Sequence, residues 1–165
     1  MKIIDLLLKE LEQEATTTRK MLAVVPDDKY DWKPHPKSMT VKELSLHIAD
    51  LPTWITLATT TDYLDFAADP YNPGDVSNTA ELQSLFEKNL AKAKADLEQA
   101  TEAKLEEAWS LRNGEEVYMT LTKYETIRHA LAQTIHHRAQ LGVFLRLLNI
   151  PIPGSYGPSA DEMGL

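Results

Sequence analysis

The sequence predicts an all-α fold, a four-helix bundle that forms a single domain over residues 1–165. Three observations predict it. Four segments repeat apolar residues at spacings of mostly three and four, the mark of an amphipathic helix. Capping-box patterns stand at Thr40-x-x-Glu43, Asn78-x-x-Glu81 and Thr122-x-x-Glu125, where three of those segments open. A chain of 165 residues with 43% hydrophobic content has the size and core material of one domain.

The first helix carries Ile4, Leu7, Leu8, Leu11, Ala15, Thr18 and Leu22 on one face and ends before Pro26. The second carries Val41, Leu44, Ile48, Leu51, Ile55 and Ala58, with Pro52 inside it to kink or split it. The third presents Leu82, Phe86, Asn89, Ala93 and Leu97, and the fourth Ile127, Leu131, Thr134, His137, Leu141, Leu145 and Leu148. The connectors 27–37 and 69–77 are polar and proline-bearing, the second of them long. Asn113-Gly114 favours a type I′ turn and predicts a short hairpin between helices three and four. The tail Pro151-Ile-Pro-Gly-Ser-Tyr-Gly-Pro-Ser is not helical and lies as an irregular loop. No internal repeat interrupts this order.

Composition narrows the chemistry. With 17 Lys+Arg against 25 Asp+Glu the net charge is −8, which argues against a nucleic-acid partner, because phosphate contacts want positive charge. The absence of cysteine excludes disulfides, a cysteine nucleophile and thiolate-held zinc or iron–sulfur centres. The stretch 141–148 is far shorter than the ~20 residues of a membrane span, and Arg146 interrupts it. The charged start, with Asp5, Lys9 and Glu10, does not read as a signal peptide, so the expected compartment is the cytoplasm.

Histidine remains as the chemical resource. Three of the five, His129, His136 and His137, fall within nine residues of the fourth helix. At ~100° per residue His137 aligns with Thr134 and Leu141 toward the core, whereas His136 turns away toward the line of His129, Gln133 and Gln140. Gln133 precedes His137 by one turn, so the two can face one ion. His47 lies between Leu44 and Leu51 at the edge of the second apolar stripe. Imidazoles from facing helices are how bundles build metal sites, and neutral imidazole suits Zn, Ni, Cu or Fe. The bland alternatives are hydrogen-bonded core histidines, or a solvated basic edge at His136-His137-Arg138 late in a helix. A di-iron carboxylate site does not fit, since Glu43 and Glu125 each precede a histidine by four residues rather than three. Ser155 is not a nucleophile elbow, because Pro153 stands where the first glycine belongs.

Several of these residues match one known pattern. Ile135-His-His-Arg-Ala-Gln140 resembles the His-His-Arg-Gly-Gln motif of the DinB/YfiT-like superfamily. Trp32-Lys-Pro-His-Pro-Lys-Ser-Met-Thr40, followed by Leu46-His47-Ile-Ala-Asp50-Leu-Pro, resembles its first-loop and second-helix signature. The segment from Leu145 through Pro151 and Tyr156 to Glu162 resembles the tail of one subgroup. Together they run the length of the chain in order.

The resemblance implies a four-helix bundle with a divalent metal, Zn or Ni, held by His47, position 133 and His137. Position 133 is Gln133, a departure from the family's histidine. Three outcomes follow: Gln133 ligates weakly through its carbonyl oxygen, His136 or His129 turns inward instead, or the site is lost. The resemblance also implies a metal-dependent transferase or isomerase with a low-molecular-weight thiol as cosubstrate, whereas an open metal position equally suits a hydrolase. Asp50 is then the candidate base, or the partner behind His47, unless it is an ordinary surface carboxylate. Arg138 and Tyr156 are candidates for binding an anionic group of a small-molecule substrate, unless Arg138 pairs with Asp161 or Glu162. A homodimer is the expected assembly. The reading from another class is a non-catalytic bundle with a degenerate site, used for dimerisation or partner binding.

Overall fold

The structure is a computed structural model that describes residues 2–165. Helix α1 (Ile3–Ala23) comes first, followed by a 3₁₀ turn (Asp27–Lys29), α2 (Val41–Asp50) and α3 (Pro52–Thr60). Strand β1 (Tyr63–Asp65) leads through a long loop to α4 (Thr79–Gln99) and the single turn α5 (Glu102–Leu105). Strands β2 (Ala108–Asn113) and β3 (Glu116–Thr122) then run into α6 (Lys123–Leu147). Pro52 splits the second predicted helix at Leu51. Proline there sits at the first position of α3, where its missing N–H costs little.

The caps explain where the helices begin. Thr40 and Thr122 form complete capping boxes with Glu43 and Glu125. Asn78 accepts from the Glu81 N–H, but the returning Glu81 carboxylate accepts from the Ser77 N–H at 2.7 Å and the Asn78 side-chain amide at 3.1 Å rather than from the Asn78 backbone N–H. The Glu102 carboxylate accepts from the N–H groups of Ile3 and Ile4, both at 3.1 Å, and so closes the start of α1 from a distant part of the chain. Asn149, with φ +58°, turns the chain out of α6 ahead of Pro151.

α1, α4, α6 and the broken α2–α3 rod pack as a helical bundle, with α4 and α6 each touching α1, α2 and α3. The apolar stripes meet at its centre, where Leu22, Leu44, Ile48, Ile55, Leu82, Leu97, Ile127, Leu131 and Leu141 are buried.

The fold is nonetheless not all-α. A three-stranded sheet of order β1-β2-β3 sits at one end of the bundle, with β1 parallel to β2 and β2 antiparallel to β3. The hairpin is where Asn113-Gly114 predicts it, but one residue out of register. Asn113 pairs with Glu116, so Gly114 and Glu115 are the central residues. Only Gly114 has positive φ, at +62°, the pattern of a type II′ turn rather than the predicted I′. Asp65 ties β1 to this turn, accepting from the Gly114 N–H at 2.9 Å and from Arg112 at 3.0 Å. The sheet docks through Trp109, fully buried against Trp54, with its indole N–H donated to Thr61. Among the described residues no helix is long and apolar enough to cross a membrane.

Candidate functional site

α2 and α6 face each other across the bundle and bring His47 and His137 together. Their ring centres lie 4.5 Å apart, with the rings nearly perpendicular at 82°. Two imidazoles on one ion, with metal–nitrogen bonds of ~2.0–2.1 Å, place their centres roughly 4.5–5.5 Å apart. The observed 4.5 Å lies at the short end of that range. Neither ring is fully buried, yet both are held neutral. Burial, and then the neighbouring His137, push His47 down to about 4. Burial also lowers His137. A neutral ring is what a metal ligand requires.

Hydrogen bonds decide which nitrogen each ring leaves free. His137 Nδ1 lies 3.0 Å from Gln140 Oε1, an acceptor only, so Nδ1 donates and Nε2 keeps its lone pair. His47 Nδ1 lies 3.2 Å from the Tyr71 hydroxyl. Tyr71 comes from the loop between β1 and α4 and shares a cleft with Asp50. Burial raises Asp50 above the usual carboxylate range, opposed by contacts to Tyr71 and Thr53. Burial and the Asp50 charge together raise Tyr71.

The third expected ligand is close but turned. Gln133 Nε2 approaches His129 Nε2 at 3.3 Å, which leaves its carbonyl oxygen free. His47, His129 and Gln133 line one cavity of about 140 Å³, roofed by Trp54 and Leu51. His136 is exposed and accepts from the Gln140 amide at 3.1 Å. Among the described residues no three His, Cys, Asp or Glu side chains converge on one point. The structure thus brings His47 and His137 together, while Gln133 shares a cavity with His47; an amide oxygen is a weaker partner for zinc or nickel than imidazole.

Clefts flank this cluster on two further sides. One of about 430 Å³ runs from His47 and Tyr71 to Lys37 and Glu43. Another, of about 320 Å³, is walled by Asp50, Trp54, Tyr71, Asn89 and Lys92. Tyr71 is the residue that sequence reasoning misses. It stands in a proline-bearing loop without periodicity, and only its place beside Asp50 and His47 in three dimensions gives it meaning. His35 stays in its loop, accepting from the Lys37 N–H.

Arg138 and Tyr156 come together, but away from the histidines. Arg138 is 1% exposed and bonded to the Glu14 carboxylate at 2.7 Å, the Glu14 carbonyl and Thr18. Tyr156 donates to Glu14 at 2.9 Å and accepts from Arg138 at 3.1 Å. Their polar groups are therefore engaged in holding the tail onto α1. The pairing of Arg138 with Asp161 or Glu162 does not form; Asp161 binds Arg146 and Glu162 binds the Gly154 and Ser159 N–H groups.

Comparison with known proteins bears on the family and the fold. The sequence profile of the DinB family matches residues 1–164. A DinB-like protein of Bacillus subtilis is similar in structure, with 20% identity, 90% of this chain and 96% of that one covered, and a TM-score of 0.71. A DinB-like protein of Bacillus cereus shows 18% identity, coverage of 91% and 95%, and a TM-score of 0.69. A mycothiol-dependent maleylpyruvate isomerase matches with 15% identity and a TM-score of 0.62, over 84% of this chain and 60% of that protein. Curated protein sequences give no match. These likenesses establish the fold, and the family profile, running almost from end to end, settles the kinship: the chain belongs to the DinB family.

Proposed function

We propose that the protein is a metal-dependent enzyme acting on a small molecule, with a low-molecular-weight thiol as cosubstrate. The observation that carries this is the His47–His137 pair, 4.5 Å apart and neutral, with His137 Nε2 unengaged. His47, His137 and the Gln133 carbonyl would hold a divalent cation, Zn or Ni. When bound, that cation lowers the pKa of a thiol or a water presented to it. The chain has no cysteine of its own, so a thiol has to arrive with a cosubstrate. The isomerase among the structural neighbours is mycothiol-dependent, which supports the thiol over the hydrolytic variant. Asp50, raised by burial, is a better proton acceptor at neutral pH than an ordinary carboxylate and stands at the 320 Å³ cleft. Trp54 and Tyr71 give that cleft apolar walls for the substrate's body. A homodimer in the cytoplasm, without a nucleic-acid partner, completes the proposal.

The test is metal analysis of protein purified without a histidine tag. Stoichiometric metal, or uptake of Zn or Ni, is expected; neither being found would sink the proposal. One observation favours a second reading, a degenerate site in a binding module: Gln133 is bonded to His129 rather than free of partners.

A further inference from the structure

The cleft of about 320 Å³ beside Asp50 is rich in acceptors and short of donors. Asp50 is 8% exposed, so its oxygens have little water to rely on. The Thr53 hydroxyl donates to its carboxylate at 3.2 Å, but lies closer, at 2.7 Å, to the Asp50 backbone carbonyl. A carboxylate has about four acceptor sites, and a buried one without a cation is costly. The lysine of the same cleft does not supply that cation: both Asp96 oxygens hold Lys92, at 2.9 and 3.0 Å. Asn89 spends its amide N–H on the Ala49 carbonyl at 3.0 Å, which leaves its own oxygen as a further acceptor. Thr56, also in the wall, has a buried hydroxyl with no partner among the described residues. Asp69 adds a second carboxylate at the exposed rim.

We propose that this cleft takes a small molecule bearing an ammonium group, with Asp50 as its counter-ion and Trp54 and Tyr71 around its body. An ammonium brings both things the lining lacks, a positive charge and several N–H donors. A hydroxyl would bring one donor and no charge, and a carboxylate or phosphate would meet two like charges. The aromatic walls favour an organic cation over a bare metal ion, because a cation within ~6 Å of a ring face is attracted to it. Trp54 is backed by Trp109, with ring centres 6.1 Å apart, and so offers a fixed surface. The volume of about 320 Å³ is at the lower end of ligand pockets, which suits a compact amine. This names the substrate class for the cleft read above as the substrate's site; it rests on that reading and not on the metal. Accepting a hydrogen bond from an ammonium and taking up one of its protons are successive uses of the same oxygens, so the anchor is continuous with the acceptor role of Asp50.

The experiment titrates the metal-free full chain with benzylamine, benzyl alcohol and benzoate, which share a ring and differ in charge, at about pH 7, where the amine is a cation and benzoate an anion. The Trp54 indole N–H resonance is the readout, assigned by Trp54→Phe, with Trp32, packed on Phe144, as the reference. Benzylamine is expected to move Trp54 saturably, with a Kd of roughly 1 mM as befits so small a ligand. It should bind at least about tenfold more tightly than either other probe, the worth of a charge-assisted hydrogen bond. Asp50→Asn should weaken benzylamine about tenfold and leave benzyl alcohol unchanged, a difference that a merely structural role would not produce. Equal affinity for the three probes, no saturable shift at Trp54, or undiminished benzylamine binding in folded Asp50→Asn would overturn the proposal. The ranking of the probes is read on wild type and so serves if the variant does not fold. A protein that takes up no metal would remove the metal proposal and leave that ranking standing, whereas equal affinities in a protein that does bind zinc would remove the amine alone.

Discussion

Gln133 is where one side chain decides most. An imidazole there would complete a three-histidine set on two helices. Gln133→His is expected to tighten zinc binding at least about tenfold, read by competition with a chromophoric chelator, because imidazole is the better donor. Equal affinity in the variant and wild type would show that position 133 does not ligate. Asp161 makes a different, pH-dependent case. Arg146, and then the Ile152 N–H, hold its carboxyl down to about 2, against an ordinary 3.8. A depressed carboxyl stabilises the fold above its unfolded pKa and loses that contribution as pH falls through the folded one. The tail should therefore stay docked at pH 4 and loosen toward about 2, read by exchange of the Ile152 amide that donates to Asp161. Residues of this kind differ in legibility. His47 and His137 show in the sequence because helical spacing gives each a direction. Tyr71 and the Glu14 partner of Arg138 do not. Tyr71 lies in an irregular loop, and Glu14 looks like one more charge on an amphipathic helix.

At the scale of elements, the caps and the α1–α6 contact make measurable claims. Thr122 receives the Glu125 N–H at 3.1 Å and opens the longest helix. Thr122→Ala should cost about 1 kcal/mol in urea denaturation. Arg138→Met would leave Glu14, itself 7% exposed, without its cation. A loss of about 3–5 kcal/mol is expected, since breaking a buried pair strands a charge. Removing both charges, as Arg138→Met with Glu14→Leu, should recover much of it. The four rods were readable because their signals are local: periodicity, capping boxes and Pro52 all act within a few residues. β1 was not, because its three residues pair with β2 residues 47 positions later, and nothing within Tyr63-Leu-Asp announces that partner. The hairpin was visible, but its turn shifted by one residue, since the strand pairing around Gly114 and the hold of Asp65 on its N–H set the register.

For the molecule as a whole, the assembly is the open quantity with the plainest readout. Light scattering of the full chain is expected to give twice the monomer mass. Val143 and Leu147, 58% and 57% exposed on α6, offer an apolar face for such pairing. Val143→Glu should then return a monomer, and an unchanged dimer would place the contact elsewhere.

The knot of Glu14, Arg138 and Tyr156 also has a consequence in time. Glu14 and Tyr156 are 142 residues apart. At ~5–20 residues per second, a ribosome makes the tyrosine roughly 7–30 s after the glutamate. For most of that interval the first helix carries a carboxylate whose native partners, Arg138 and Tyr156, are not yet made, and burying it alone would be costly. The Glu14 end of this contact thus waits on the tail for its completion.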